Sequence, residues 1–193
     1  MGLRVPEAAR REFFSAGTAG FAALALLGLY TALAPSFLGG VLHVTRPSVG
    51  GLMVFLIFGA STLTQIALGK VPSHTSARIG LCLFLVGVAL VVVALQQASF
   101  SLFVAATVVS GVAVGAAFIG SLATANRLAP PEIRGQVVST YFTFAYVGLT
   151  VPVIGVGFAA DRIGFLGAVL ACAVGLAVLC VLALVLSRPR RVA

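Results

Sequence analysis

The sequence predicts an all-α integral membrane protein with six transmembrane helices. Of its 193 residues, 61% are hydrophobic and only 8% are charged, and the mean hydropathy is +1.19. A soluble domain carries about 25% charged residues, so these few charges cannot cover a water-exposed surface. The apolar residues form long unbroken runs without strand-like alternation, which favours membrane-spanning helices over a membrane barrel.

Six apolar segments are long enough to cross a bilayer, which takes about 20 residues. They are separated by short stretches rich in glycine, proline and charge. The predicted spans are 13–35, 49–69, 79–97, 100–126, 136–158 and 164–187. Residues 1–12 are then an N-terminal segment and residues 188–193 a basic tail, with no soluble domain between them.

The lysines and arginines predict the orientation. If both termini are cytoplasmic, ten of the twelve basic residues lie on that side and only Arg46 and Arg162 on the other. This is the bias of a membrane protein of fixed orientation, and we expect a bacterial plasma membrane location with both termini in the cytoplasm. The net charge of +8 is spread over helix ends and not gathered in one patch, so nucleic-acid binding is not expected.

The fifth predicted span carries a line of hydroxyl groups. Ser139, Thr143, Tyr146 and Thr150 are spaced by four, three and four residues, which places them within about 60° of one helix face. We call these four residues the hydroxyl stripe. Two interpretations are open: hydroxyls that bond to their own helix or to neighbouring helices, or one wall of a water-filled cavity. Four residues in register, including a tyrosine, favour the cavity.

The same span contains a proline and glycines, which predict a bendable helix. Pro152 has no N–H to donate, so a kink is expected near residues 148–152. Gly148 and Gly155 permit close approach or bending. These three residues are the predicted hinge or gating candidates.

Three further polar residues within spans are candidates for a substrate path. Ser61 and Gln65 share a face of the second span, and the amide of Gln65 needs a partner in protein or water. A contact between helices is the alternative for both. Tyr30 in the first span is a candidate as well, or else an interfacial anchor. In the fourth span, Gly111 and Gly115 form a GxxxG pattern that predicts a packing face.

Catalytic chemistry is not predicted. No aspartate, glutamate, lysine, arginine or histidine lies in the middle of a span, and the three cysteines sit in apolar runs without metal-ligand spacing. We therefore expect no enzyme activity, no cofactor and no metal site. In the loop before the fifth span, Arg127 and Arg134 are expected to pair with Glu132 or with lipid phosphate, in either a gating or an anchoring role.

One stretch resembles a known motif. It reads LAPPEIRGQVVSTYFTFAYVGLTVPVIGVGFAADRIG, from residue 128 to 164. It is similar to the pattern that transporters of the major facilitator superfamily show after their fourth and tenth helices. The matching residues are Pro131, Glu132, Arg134, Gly135, Gly148, Pro152, Gly155, Asp161 and Gly164. The start, RVPEAARREF, resembles the central cytoplasmic loop of that family, so the chain resembles the C-terminal half of such a transporter.

One loop departs from the family pattern. Where the family often reads G-x-x-x-D-x-x-G-R, this chain has Ser73 at the acidic position and Ser76 at the second glycine.

The resemblance implies a function. It implies half of a secondary transporter that moves a small organic solute across a lipid bilayer, with a second six-helix half or a parallel homodimer enclosing the path. The first, second, fourth and fifth spans would surround the path, and the third and sixth would face lipid. The alternative is a truncated remnant, or a membrane assembly subunit, without transport of its own.

Overall fold

The computed structural model describes residues 7–40 and 46–186, and this part of the chain is helical apart from short turns. The helices are α1 (Glu7–Gly40), α2 (Pro47–Leu68), α3 (Ser73–Gln96), α4 (Phe100–Leu128) and α5 (Arg134–Leu186), with a 3-10 turn at Pro131–Ile133. The predicted basic tail, 188–193, lies outside the described residues. Residues 7–12, predicted as a segment before the first span, belong to α1.

The all-α membrane fold is confirmed, with five continuous helices in the described residues where six spans were predicted. Five of the described helices are long and apolar enough to cross a membrane. The difference lies in α5, whose 53 residues cover both the fifth and the sixth predicted span. At 1.5 Å per residue such a helix is about 80 Å long, more than twice the hydrocarbon thickness of about 30 Å. A straight α5 would not fit the bilayer.

A single glycine interrupts α5. Gly164 has φ 76° and ψ 162°, and it is the only position within α5 with a non-helical backbone. Residues other than glycine rarely adopt this backbone conformation. The interruption divides α5 into a first half, residues 134–163, and a second half, residues 165–186. Residues 159–163, which separate the fifth and sixth predicted spans, remain helical, because the single glycine at position 164 suffices for the break.

The first half of α5 runs alongside α1 in the same direction. Gly17 of α1 lies beside Phe144, and Gly28, further along α1, lies beside Leu149. The contact with Leu149 is close, since a Cβ on Gly28 would lie 2.5 Å from the carbonyl oxygen of Leu149. The residue numbers therefore increase in the same direction along the two helices, which are parallel.

The second half of α5 runs against α1 in the opposite direction. The Ser15 hydroxyl, near the start of α1, donates to the carbonyl of Ala183 at 3.5 Å. Ala34, near the end of α1, lines one cavity together with Phe165, just after the interruption. The chain therefore reverses at Gly164, and the start of α1 and the end of α5 lie at the same end of the bundle.

Small residues on α4 bring three helices together. A Cβ on Gly111 would lie 2.7 Å from the carbonyl oxygen of Ile57 in α2, and one on Gly115 would collide with the backbone of Ser61. On the side facing α3, a Cβ on Gly87 would lie 2.7 Å from the hydroxyl of Ser110. The predicted packing face of α4 is confirmed, and α4 occupies the centre of the bundle.

The packing of α2 and α5 sets where a site can form. Helix α2 packs mainly on α4, whereas α5 packs mainly on α1. These two helices therefore lie at different edges of the described bundle. Both leave large apolar side chains exposed, among them Phe55 and Ile66 on α2 and Phe158 on α5.

We predict that Gly115→Ala destabilises the bundle. The added methyl group meets the backbone of Ser61, so we expect the free energy of unfolding to fall by about 1–3 kcal/mol. The control is Gly59→Ala in α2, where an added Cβ meets nothing within 4 Å; this change should raise stability by about 0.5–1 kcal/mol. Unfolding titrations in detergent micelles measure both, and equal effects would contradict the close approach of α2 and α4.

Candidate functional site

The hydroxyl stripe lies on an exposed face of α5. Ser139, Thr143, Tyr146 and Thr150 are all exposed, with 58% of Tyr146 accessible. The opposite face of the same helix is buried, because Tyr141 and Ala145 are completely enclosed. The stripe is therefore turned away from the bundle core.

Two hydroxyls of the stripe also bond to their own helix. Thr143 donates to the carbonyl of Ser139, and Thr150 to that of Tyr146, each at 3.0 Å. A hydroxyl has one proton but two acceptor lone pairs, so each oxygen keeps the capacity to accept a hydrogen bond from outside. At Thr143 and Thr150, a hydrogen bond within the helix is thus compatible with an oxygen that faces outward.

The stripe ends in a groove between α1 and α5. Thr150 lies there with Gly28 and Thr31 of α1, in an open space of about 380 Å³. The Thr31 hydroxyl donates to the carbonyl of Gly28 at 2.9 Å, again leaving its lone pairs available. The groove adds a hydroxyl from α1 to those of α5.

The buried face of α5 is held by Tyr141, which is not among the candidates predicted from the sequence. Its hydroxyl lies 2.8 Å from that of Ser121 in α4, and a Cβ on Gly20 of α1 would lie 2.6 Å from the same hydroxyl. Tyr141 therefore joins α1, α4 and α5. Its helical phase was a usable signal, since it lies two residues, or about 200°, from Ser139 and so on the opposite face.

Tyr30 lies away from the stripe. It is buried in the bundle, with its ring stacked on Phe103 at a centroid distance of 5.7 Å and an angle of 22°. Its hydroxyl lies near Thr107 and Ser110 of α4 but forms no hydrogen bond of normal geometry with either. The structure therefore does not bring Tyr30 together with the α5 hydroxyls.

Ser61 and Gln65 lie on α2, which packs mainly on α4 and not on α5. Ser61 is buried where Gly115 of α4 approaches, and it accepts a hydrogen bond from the Gln65 amide at 3.2 Å. Gln65 is half-buried. Ser61 therefore has a packing position, and the polar end of Gln65 is satisfied at least partly within its own helix.

The hinge candidates differ in their surroundings. Gly148 is a packing residue, since a Cβ there would collide with the backbone of Phe21 in α1. Gly155 is exposed, with nothing within 4 Å of an added Cβ. The backbone stays helical at Pro152, and the interruption of α5 comes twelve residues later, at Gly164.

The charged residues near α5 are paired differently from the expectation. Arg127, at the end of α4, forms a salt bridge with Glu12 of α1. Arg127 was expected to pair with Glu132, five residues away, or with lipid phosphate, because the sequence alone does not show that the start of α1 lies beside the end of α4. Glu132 and Arg134 are exposed at the start of α5. The exposed salt bridge between Glu12 and Arg127 contributes about 0–1 kcal/mol to the stability of the fold.

The comparison with family models identifies the family. The model described as Major Facilitator Superfamily matches residues 10–193, nearly the whole chain. The chain belongs to the major facilitator superfamily and is a membrane protein of a transporter family. Searches of curated proteins and of solved structures found no match.

We predict an asymmetric effect of removing either member of the Ser121–Tyr141 pair. Ser121→Ala leaves the buried Tyr141 hydroxyl without its partner, whereas after Tyr141→Phe the Ser121 hydroxyl still donates to the Phe118 carbonyl at 3.1 Å. Ser121→Ala should therefore cost more stability than Tyr141→Phe.

The double variant measures the coupling between the two hydroxyls. We expect about 0.6 kcal/mol, and at most about 1.7 kcal/mol, as for other hydrogen bonds between membrane helices. Unfolding of the wild type, both single variants and the double variant in micelles gives this value. A coupling of zero would show that the two hydroxyls do not interact.

Proposed function

We propose that the chain is one half of a major facilitator-type secondary transporter for a small organic solute. A second six-helix half, or a second copy of this chain in parallel orientation, encloses the solute path. Family membership supports a transporter, and the exposed hydroxyl stripe on α5 is the observation that carries the solute path.

If the stripe faced lipid, its hydroxyl groups would lie in hydrocarbon, away from water, which is energetically unfavourable. Exposed apolar residues occupy the adjacent flank of the same helix, including Val147, Val151 and Phe158. At about 100° per residue, Val151 points about 100° away from Thr150. The outer surface of this half of α5 thus has a polar strip and an apolar strip, which suits a helix between a hydrated path and the bilayer.

The chemistry of the stripe suggests the class of solute. Its groups are neutral oxygens able to accept hydrogen bonds, and it carries no charged side chain. An uncharged or amphiphilic organic solute matches this surface better than an inorganic ion. The groove at Gly28, Thr31 and Thr150 would form part of the same path.

The basic residues support the orientation. The salt bridge between Glu12 and Arg127 and the contact between Ser15 and Ala183 lie at one end of the bundle. Lys70 and Arg78 flank the start of α3, which meets this end of α4 at Gly120. We propose that this end is cytoplasmic, in agreement with the distribution of lysine and arginine. Glu132 and Arg134 would then lie on the cytoplasmic surface.

Cysteine accessibility tests the proposed path. Cys82, Cys172 and Cys180 are replaced by alanine, and single cysteines are placed at Ser139, Thr143, Tyr146 or Thr150. A charged, water-soluble thiol reagent is then applied to membranes. We predict labelling at all four positions, because a hydrated path admits the reagent.

Two further positions in α5 serve as controls. Val151→Cys is about as exposed as Tyr146 but lies on the apolar flank, and Ala145→Cys is fully buried. Neither should react. Stripe cysteines that react no faster than these controls would contradict a hydrated path and would favour the alternative, a membrane assembly subunit whose stripe contacts a partner.

A further inference from the structure

A second cavity lies inside the bundle, on the side of the Gly164 reversal and away from the hydroxyl stripe. Its volume is about 50 Å³, and α1, α3, α4 and the second half of α5 all contribute to its lining. None of the four stripe residues belongs to it. It is therefore a separate site.

The lining is apolar throughout. Phe103 forms its aromatic centre, with Tyr30 stacked at 5.7 Å and Phe37 at 4.7 Å between ring centroids. The remaining residues are aliphatic, apart from Phe165 and Cys172. The Tyr30 hydroxyl lies towards Thr107 and Ser110, so the ring of Tyr30, and not its hydroxyl, lines the cavity. A polar ligand that entered the cavity would lose its hydrogen bonds with water and gain none in return. The cavity therefore does not favour polar ligands.

The cavity has a mouth between α3 and the second half of α5. Val91, Phe165, Cys172 and Ala173 are only half-buried, and all four belong to these two elements. Residues 79–96 and 165–186 contain no charged side chain. Their outward surfaces are aliphatic, so the mouth opens towards the hydrocarbon of the bilayer.

The residues that line the cavity extend over a length similar to the thickness of one leaflet. Its lining extends over residues 26–37 of α1 and 165–176 of α5. At 1.5 Å per residue this is about 16 Å, or about half of the hydrocarbon thickness of about 30 Å. The lining begins beside Gly164, where α5 reverses its direction. The residues that line the cavity thus lie in the half of the bundle on the Gly164 side.

We propose that this cavity binds the end of an acyl chain from a bilayer phospholipid. Acyl chains are the molecules present at the mouth, in the leaflet on the Gly164 side. A volume of about 50 Å³ accommodates about four water-sized groups, the size of a chain terminus. An apolar void stays dry and leaves its lining without contacts on one side, and the acyl chain restores these dispersion contacts.

The chain's own tyrosines allow a direct test, because it has three tyrosines and no tryptophan. In the double variant Tyr141→Phe/Tyr146→Phe, all tyrosine fluorescence comes from Tyr30 in the cavity wall. The protein is reconstituted into phosphatidylcholine bilayers whose acyl chains carry bromine, which quenches nearby fluorophores. We expect a clear loss of Tyr30 fluorescence relative to unbrominated bilayers.

Two control reporters calibrate the loss. In Tyr30→Phe/Tyr146→Phe, the remaining Tyr141 is fully buried but lies outside the cavity, so its fluorescence should change little. Leu166→Tyr in a background without other tyrosines is exposed beside the mouth and marks full contact with lipid. Tyr30 quenched no more than Tyr141 would overturn the proposal.

Closing the mouth separates entry through it from other routes. Ala173→Phe places a ring at the mouth and should abolish Tyr30 quenching, and Val91→Phe should do the same from α3 if the first variant does not fold. Ala171→Phe, two residues away on an exposed surface, is the matched control and should leave the quenching intact. Quenching that persists with the mouth closed would also overturn the proposal.

Discussion

The close approach of helix backbones at small residues is the interaction on which the rest of this structure depends. Lipid tails are as apolar as leucine, so burial of apolar side chains does not by itself bring membrane helices together. Packing contacts and a few hydrogen bonds must do so. Gly115 brings α2 against α4, and Gly28 and Gly148 bring α1 against α5. The hydroxyl pair of Ser121 and Tyr141 links α4 and α5 at a position where both are buried.

This packing also determines which surface of α5 is available for the proposed solute path. Gly148 and Tyr141 turn one face of α5 towards α1 and α4, which leaves Ser139, Thr143 and Tyr146 on the other face. The stripe is thus positioned by residues that do not belong to it. A change that loosens the buried face would rotate or shift the exposed one, so stability and the proposed solute path are physically connected in this helix.

The reversal at Gly164 gives the bundle its second feature, the apolar cavity. The second half of α5 returns along α1 and α3 without filling the space beside Tyr30 and Phe103. The two proposed sites are chemically opposite, one lined with hydroxyls and the other with hydrocarbon. They also lie on different halves of α5, so they report separately on the path and on the lipid contact.

The sequence by itself determined the membrane class, the positions of the apolar segments and the register of the stripe, because composition and helical phase are local properties. It also showed the family motif, and the family match confirmed the resemblance. Only the tertiary structure decided which polar residues come together. It buried Tyr30 and Ser61, paired Arg127 with Glu12 and left the stripe exposed. These outcomes depend on which faces of different helices meet. Contacts between residues as far apart as Glu12 and Arg127 leave no signal in the local pattern of a single sequence.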